Sequence, residues 1–254
     1  MLLYRKLTRI RRVFLSAYVT VMSIGKNAFV LSLGGSLVVP NGGIDTQFLL
    51  DFNTFIRNQV SSKKRRFFIT VGGGAIARQY IEAGRTTRGG ELAESDIDWL
   101  GVHSSRLNAQ LVRTIFQDIA DPRVIKHYEI ILKIESPVAI AAGWKPGWST
   151  DYCAVTLCQD YGVSQVINLT NVDQVYDRDP KKFADAKPID TISWKDYRHM
   201  IGSDWTPGMN APFDPIASKL AHEVGITVKI LNGKNLDNLA KALDGEAFVG
   251  TTIK

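Results

Sequence analysis

Three glycine-rich segments stand out as places where backbone could do chemistry: Leu33-Gly34-Gly35-Ser36, Val71-Gly72-Gly73-Gly74, and Gly143-Trp144-Lys145-Pro146-Gly147-Trp148-Ser149-Thr150-Asp151. Glycine lets main-chain amides close on anionic oxygens, and a helix opening directly afterwards adds the positive end of its dipole. Each segment alone is an ordinary strand-to-helix turn. Three at strand ends in one chain suggest a ligand carrying several phosphates. In the third segment Ser149 or Thr150 can cap a helix while its hydroxyl and amides bind an anion, and Asp151 either complements that helix dipole or serves the ligand. The run Thr170-Asn171-Val172-Asp173-Gln174-Val175-Tyr176-Asp177-Arg178-Asp179-Pro180 mixes hydroxyl, amide, aromatic and carboxylate groups, an inventory that suits a base, a ribose and a metal-bound phosphate. Such residues are also common in loops that bind nothing.

Other chemistries fit less well. No Gly-x-x-x-x-Gly-Lys-Ser/Thr is present, which disfavours a Walker-type phosphate loop. Gly72-Gly73-Gly74-Ala75-Ile76-Ala77 formally matches a dinucleotide fingerprint and raises a nicotinamide-dependent oxidoreductase as a rival. The acids some twenty residues on, Glu91, Glu94, Asp96 and Asp98, fall in a polar loop or helix start, whereas a ribose contact belongs at the end of a strand. Arg78, one turn past the glycines, has a fork that can grip phosphate, or it lies on a solvated helix face. Cys153 and Cys158 are five apart in a predicted helix and point about 140° apart around its axis. His103, His127, His199 and His222 are scattered, so no protein-built metal site is expected.

The elements that must position these groups follow from hydrophobic spacing. The runs 28–33, 66–71, 138–142, 164–169 and 226–231 are short, apolar and followed by Gly, Pro, Asn or Asp, as strands of a sheet covered on both faces require. Phe48, Leu49, Phe52, Phe55, Ile56 and Val60 recur at helical spacing, as do Ile97, Leu100, Leu107, Leu111 and Ile115. Alternating strands and helices predict an α/β fold with a mostly parallel central sheet, whose ligands sit at the carboxyl ends of the strands. The stretches 85–98 and 177–188 are polar enough to form mobile loops.

With 254 residues, 45% hydrophobic and 22% charged, the chain has the composition of a globular protein and enough length for a full core. Arg5, Lys6, Arg9, Arg11 and Arg12 supply five of the six net positive charges, so residues 26–254 carry no global field that would hold a nucleic acid. Residues 1–25 form a basic and apolar leader, too short to span a bilayer. It loosely resembles a secretory signal, but Met22 directly before the first strand favours an over-extended reading frame, with no part in the fold. No membrane partner is expected.

In this order, Gly34-Gly35-Ser36, Gly72-Gly73-Gly74 with Arg78, Pro146-Gly147 with Ser149-Thr150-Asp151, Thr170-Asn171-Val172-Asp173 with Tyr176 and Asp179-Pro180, and Phe213-Asp214-Pro215-Ile216-Ala217 resemble the amino acid kinase family, most closely its archaeal-type UMP (uridylate) kinases. The resemblance covers residues 26–254. It implies a three-layer αβα sandwich with a phosphate-acceptor half over about 26–163 and an ATP half over about 164–254. It further implies ATP-dependent phosphorylation of UMP to UDP in pyrimidine nucleotide synthesis, Mg2+ carried by the nucleotide, a cytoplasmic location, and a homo-oligomer, by resemblance a hexamer. UMP is expected at Gly73, Asp98, Trp144, Lys145, Pro146, Gly147, Trp148, Ser149 and Thr150, with Asp98 resembling the ribose contact. ATP is expected at Gly35, Ser36, Gly74, Arg78, Thr170, Asn171, Tyr176 and Asp179, and Asp151 matches the aspartate that organises charge around the transferring phosphoryl.

The sequence also departs from that pattern. Ser32 and Ala75 stand where related kinases can carry Lys, and Trp144 and Trp148 replace a more usual Thr and His. Neutralising the transferring phosphoryl then falls to Mg2+, Arg78, Lys145, Lys219 or helix amides, with Lys219 the preferred catalytic candidate. Competing acceptors within the same fold are isopentenyl phosphate, a carbamate or an amino acid carboxylate. A non-catalytic nucleotide- or oxyanion-binding protein is the alternative outside enzymes.

Overall fold

Apolar runs of about six residues are too short for a stable helix but long enough to cross a sheet buried on both faces. A computed structural model of the protein describes residues 27–178, 180, 182–202 and 211–254; the leader and Asp179 lie outside them. In chain order the elements are β1 (Ala28–Leu33), α1 (Gly35–Val38), α2 (Thr46–Lys63), β2 (Arg66–Val71), α3 (Gly74–Arg88), α4 (Glu94–Ile115), β3 (Ala120–Ile125), β4 (Val138–Ala141), α5 (Thr150–Tyr161) and β5 (Gln165–Thr170). There follow β6 (Val175–Tyr176), β7 (Pro188–Ile189), β8 (Thr191–Ile192), α6 (Trp194–Ile201), α7 (Pro215–Val224), β9 (Thr227–Asn232), α8 (Leu236–Asp244) and β10 (Thr251–Ile253).

Eight of the strands form one sheet in the order β3-β4-β2-β1-β5-β9-β10-β8, parallel throughout except where β10 runs antiparallel to β9. Strand alternation sends successive side chains to opposite faces. Val30, Phe68, Ala139, Val166 and Val228 pack beneath α5 and α7 with Ala154, Leu157 and Ala217. Leu31, Ile69, Ile140, Ile167 and Leu231 join Phe52, Ile56, Val112 and Leu239 from α2, α4 and α8 on the other face. The result is the expected three-layer αβα sandwich with a mostly parallel sheet.

Two local expectations need revision. The polar stretch 85–98 is largely helical: α3 runs to Arg88, stops at Gly89 in the left-handed region (φ 73°), and α4 begins at Glu94 with Glu94 and Asp96 in its first turn. Acids there complement the helix dipole, so the polarity marks a helix start. The edge strand β3 reads Ala-Asp-Pro-Arg-Val-Ile and has no apolar alternation to announce it. An edge strand tolerates a proline because one row of its backbone groups needs no partner within the sheet.

Candidate active site

Parallel pairing brings the carboxyl ends of β1, β2 and β5 side by side, with Leu33 in register with both Val71 and Leu169. The backbone continues the ladder one step beyond: Gly72 N donates to Leu33 O at 2.9 Å and Gly34 N to Leu169 O at 2.9 Å. The first two glycine segments then touch directly. A Cβ on Gly35 would lie 2.1 Å from Gly74 N, and one on Gly74, whose φ is 64°, would lie 2.3 Å from Gly35 O. These glycines are required by contact between the two loops as well as by any ligand above them.

A single helix fastens the loops. Asn108 of α4 donates from Nδ2 to Gly72 O at 2.9 Å and to Gly73 O at 3.0 Å. Ser105 accepts from Gly143 N at 2.9 Å, and Arg106 donates to Gly143 O at 3.1 Å and Trp144 O at 2.6 Å. Asp98 accepts from Gly147 N at 2.8 Å, and Gly147 adopts φ 80°. Positions 98, 105 and 108 share one face at helical spacing. Burial, opposed by the Gly147 amide and assisted by the charge of Glu94, raises the Asp98 carboxyl above its ordinary range. Of these α4 residues, Asp98, Ser105, Arg106 and Asn108, the sequence reading names only Asp98. A buried Ser and Asn inside an amphipathic helix were the available signal, since such groups must find partners.

Where α5 and α7 begin, two carboxylates meet. Ser149 is the N-cap of α5, accepting from Tyr152 N at 2.9 Å, and its hydroxyl donates to Asp214 Oδ2. Asp214 is in turn the N-cap of α7, its Oδ1 accepting from Ile216 N at 2.8 Å and Ala217 N at 2.9 Å, with Pro215 in the first turn. Asp151, one residue inside α5, accepts from Ser32 Oγ at 2.7 Å. Burial first, and the charge of Asp214 second, push the Asp151 carboxyl up to about 7 against the stabilising Ser32 hydroxyl and Asp214 backbone. Burial also raises Asp214, against Ser149 and the two helix amides. Two carboxylates that share a site, neither in an ion pair among the described residues, favour positive charge there.

The loop between β4 and α5 is aromatic. Trp144 and Trp148 meet edge to face at 4.4 Å, Trp148 meets Tyr152 at 4.3 Å, and Tyr128 packs at 5.9 Å on Trp144. Lys145 Nζ stands 3.8 Å from the centre of the Trp144 ring.

Residues 134–232 match the profile of the Amino acid kinase family. The chain is 34% identical over 227 residues to the uridylate kinase of Methanospirillum hungatei, covering 88% of this chain and 93% of that protein. It is 33% identical over 228 residues to the uridylate kinase of Methanothermobacter thermautotrophicus, covering 88% and 97%. The chain belongs to the amino acid kinase family. The crystal structure of uridylate kinase from Archaeoglobus fulgidus superposes with a TM-score of 0.74 at 30% identity, over 90% of this chain and 100% of that one. The UMP kinase of Bacillus anthracis, at 19% identity and a TM-score of 0.71, shares the fold.

In this amino acid kinase the expected site residues divide into two groups. Gly35, Gly73 and Gly74 come together at the ends of β1 and β2, and Trp144, Lys145, Pro146, Gly147, Trp148, Ser149, Thr150 and Asp151 form one continuous loop and helix start, tied to Asp98. Ser36 lies half-buried in α1, and Thr170 ends β5 with its hydroxyl 3.4 Å from Asn171 Oδ1. Tyr176 is half-buried in β6. Arg78 is exposed on α3 and donates to Asn41 Oδ1 at 3.1 Å. Lys219 is exposed on α7, five residues past Asp214, and forms no ion pair among the described residues. Asp179 falls outside the described residues. Asp214 entered the sequence analysis only within a motif, although it contacts the same charge centre as Asp151.

Proposed function

We propose that this protein transfers the γ-phosphoryl group of ATP to UMP, giving UDP. The observation that carries the reading is the kinship over nearly the whole chain with uridylate kinases. The site is compatible with it: phosphoryl transfer asks a protein for positioning and electrostatic stabilisation rather than covalent chemistry, and glycine-loop amides and two helix starts are suited to that task. On this reading UMP lies on Gly73, Asp98 and residues 144–150 in the half up to about residue 163. ATP lies on Gly35, Ser36, Gly74, Arg78, Thr170, Asn171, Tyr176 and Asp179, chiefly in the half from about 164. Asp151 orders charge between them.

Mg2+ would arrive with ATP. Among the described residues no cluster of three or more His, Cys, Asp or Glu could hold a metal alone. The donors nearest the transfer point are hard oxygens that suit Mg2+: the carboxylates of Asp151 and Asp214 and the hydroxyls of Ser32 and Ser149. Thr70 lies beside Ser32 in register, and its buried hydroxyl has no hydrogen-bond partner among the described residues. When bound, the ion would neutralise charge on the phosphates. No helix among the described residues is long and apolar enough to cross a membrane. A cytoplasmic place in pyrimidine nucleotide synthesis and a hexameric assembly belong to the same proposal and rest on resemblance alone.

Incubation with labelled ATP, Mg2+ and a panel of UMP, isopentenyl phosphate, carbamate and amino acids tests the reading. Labelled UDP as the dominant product is expected. Preference for another acceptor overturns it, as does nucleotide binding without turnover. NADH binding without ATP binding would favour the oxidoreductase.

A further inference from the structure

Thr251, the first residue of β10, is fully buried, yet its side chain ends in a hydroxyl that needs partners. Both partners lie in the small ribbon β6–β7. Thr251 Oγ1 accepts from Val175 N at 2.9 Å and donates to Ile189 O. Val175 and Ile189 stand opposite each other in the ribbon, so one side chain joins its two strands. A second tie runs alongside: Gln174 Nε2 donates to Gly250 O at 3.2 Å and to Asp190 Oδ1 at 2.9 Å.

The ribbon needs such an anchor. It is a separate two-stranded sheet that pairs Val175 with Ile189 and Tyr176 with Pro188, and Pro188 brings no amide hydrogen. A pair of strands that short is not stable by itself. β10, by contrast, is bound into the main sheet between β9 and β8. Docked on it, Val175 packs into the core at 2% exposure, and strand alternation sends Tyr176 to the opposite face.

We propose that Thr251 is a positioning residue for the donor nucleotide: its hydroxyl pins the Val175 and Ile189 pair to the main sheet, sets the place of Tyr176, and through it the affinity for ATP. This rests on the placement of ATP on Asn171 and Tyr176 above. Thr251 touches neither substrate on that reading and acts through the fraction of molecules whose ribbon is docked. When only a fraction is competent, the apparent dissociation constant rises in inverse proportion, and saturating ligand draws the rest into the competent state. Loss of the anchor then weakens ATP without slowing the saturated enzyme.

Steady-state kinetics with ATP and UMP varied in turn, beside hydrogen–deuterium exchange of residues 171–178, tests it. Thr251→Val keeps the side-chain shape but leaves the buried Val175 amide without its acceptor. It should raise the KM for ATP about tenfold, leave the KM for UMP and kcat unchanged, and speed exchange at Val175 until ATP restores protection. Thr251→Ser retains the hydroxyl and should recover both properties. Gln174→Ala cuts only the parallel tie and should shift the KM for ATP the same way by less; it decides the matter by the same criteria if Thr251→Val does not fold. Tyr176→Ala checks the ATP placement independently and should also raise that KM. An unchanged KM for ATP in Thr251→Val beside a raised one in Tyr176→Ala overturns the proposal and leaves the ATP reading standing. So does an equal loss for ATP and UMP, or a Thr251→Ser variant no better than Thr251→Val. An unchanged KM for ATP in both Thr251→Val and Tyr176→Ala, or wild type that binds no ATP, overturns the placement and the proposal together.

Discussion

Ser32 Oγ, at the end of the first strand, donates to Asp151 Oδ1 across 2.7 Å. This contact ties the sheet to the start of α5 and stabilises the ionised form of a carboxylate that burial and Asp214 disfavour. Ser32→Ala should therefore raise the Asp151 pKa further. If ionised Asp151 is the working form, turnover falls as pH drops through about 7. Losing a hydrogen bond to a charged group should move that acid limb up by about one pH unit. A pH–rate profile of the variant superposing on wild type would separate Asp151 ionisation from turnover.

Asp151→Asn separates catalysis from capping, because Ser149, and not Asp151, caps α5. Turnover should fall by about a hundredfold or more, roughly 3 kcal/mol in the barrier. Stability should respond with the opposite sense. The carboxyl binds its proton more tightly folded than unfolded, so its contribution is present below the unfolded carboxylate range and is lost as pH rises through about 7. The variant should gain in Tm relative to wild type between pH 5 and pH 8. Near-normal turnover with a lowered Tm at pH 8 would sink the catalytic assignment.

Gly35→Ala and Gly147→Ala should fail differently. At Gly35 the added Cβ meets backbone at 2.1 Å, so the two loops must part, at a cost of about 3 kcal/mol or more and with loss of activity. At Gly147 no atom of the described residues lies within 4 Å of the added Cβ, but φ is 80°, a strain of about 1–2 kcal/mol. Denaturant midpoints at equal slope would check the order, and a milder loss at Gly35 would contradict the described contact.

Arg78→Ala should raise the KM for ATP about tenfold, the scale of a lost charge-assisted phosphate contact, without changing the KM for UMP. Its structural partner, Asn41, is an exposed side chain whose loss costs little stability. Unchanged ATP kinetics would leave Arg78 a surface residue.

Much of the frame could be read from sequence because burial on both faces leaves a blunt apolar signature: β1 and β2 begin and end where their runs do. β3 could not, since Asp121, Pro122 and Arg123 at a sheet edge face different demands. The position of Asp151 in the first turn of a helix was legible from the two hydroxyl residues before it. Its interaction with Asp214, 63 residues away, depends on two helices docking side by side, which local spacing does not encode. Asn108 was hidden for the same reason, its partners being carbonyls of a distant loop.

Because Ser105, Arg106 and Asn108 hold both the Gly72–Gly73 turn and the Gly143–Trp144 turn, the gap between those turns is gauged by one turn of a single helix. A helix rises about 1.5 Å per residue and resists stretching. Neither turn can retreat from the other to admit a bulkier acceptor unless α4 bends. Changes in acceptor preference would have to be written in the side chains at the loop's tip, where Trp144 and Trp148 stand in place of the Thr and His that the resemblance leads one to expect, while the spacing between the two turns is held as a fixed gauge.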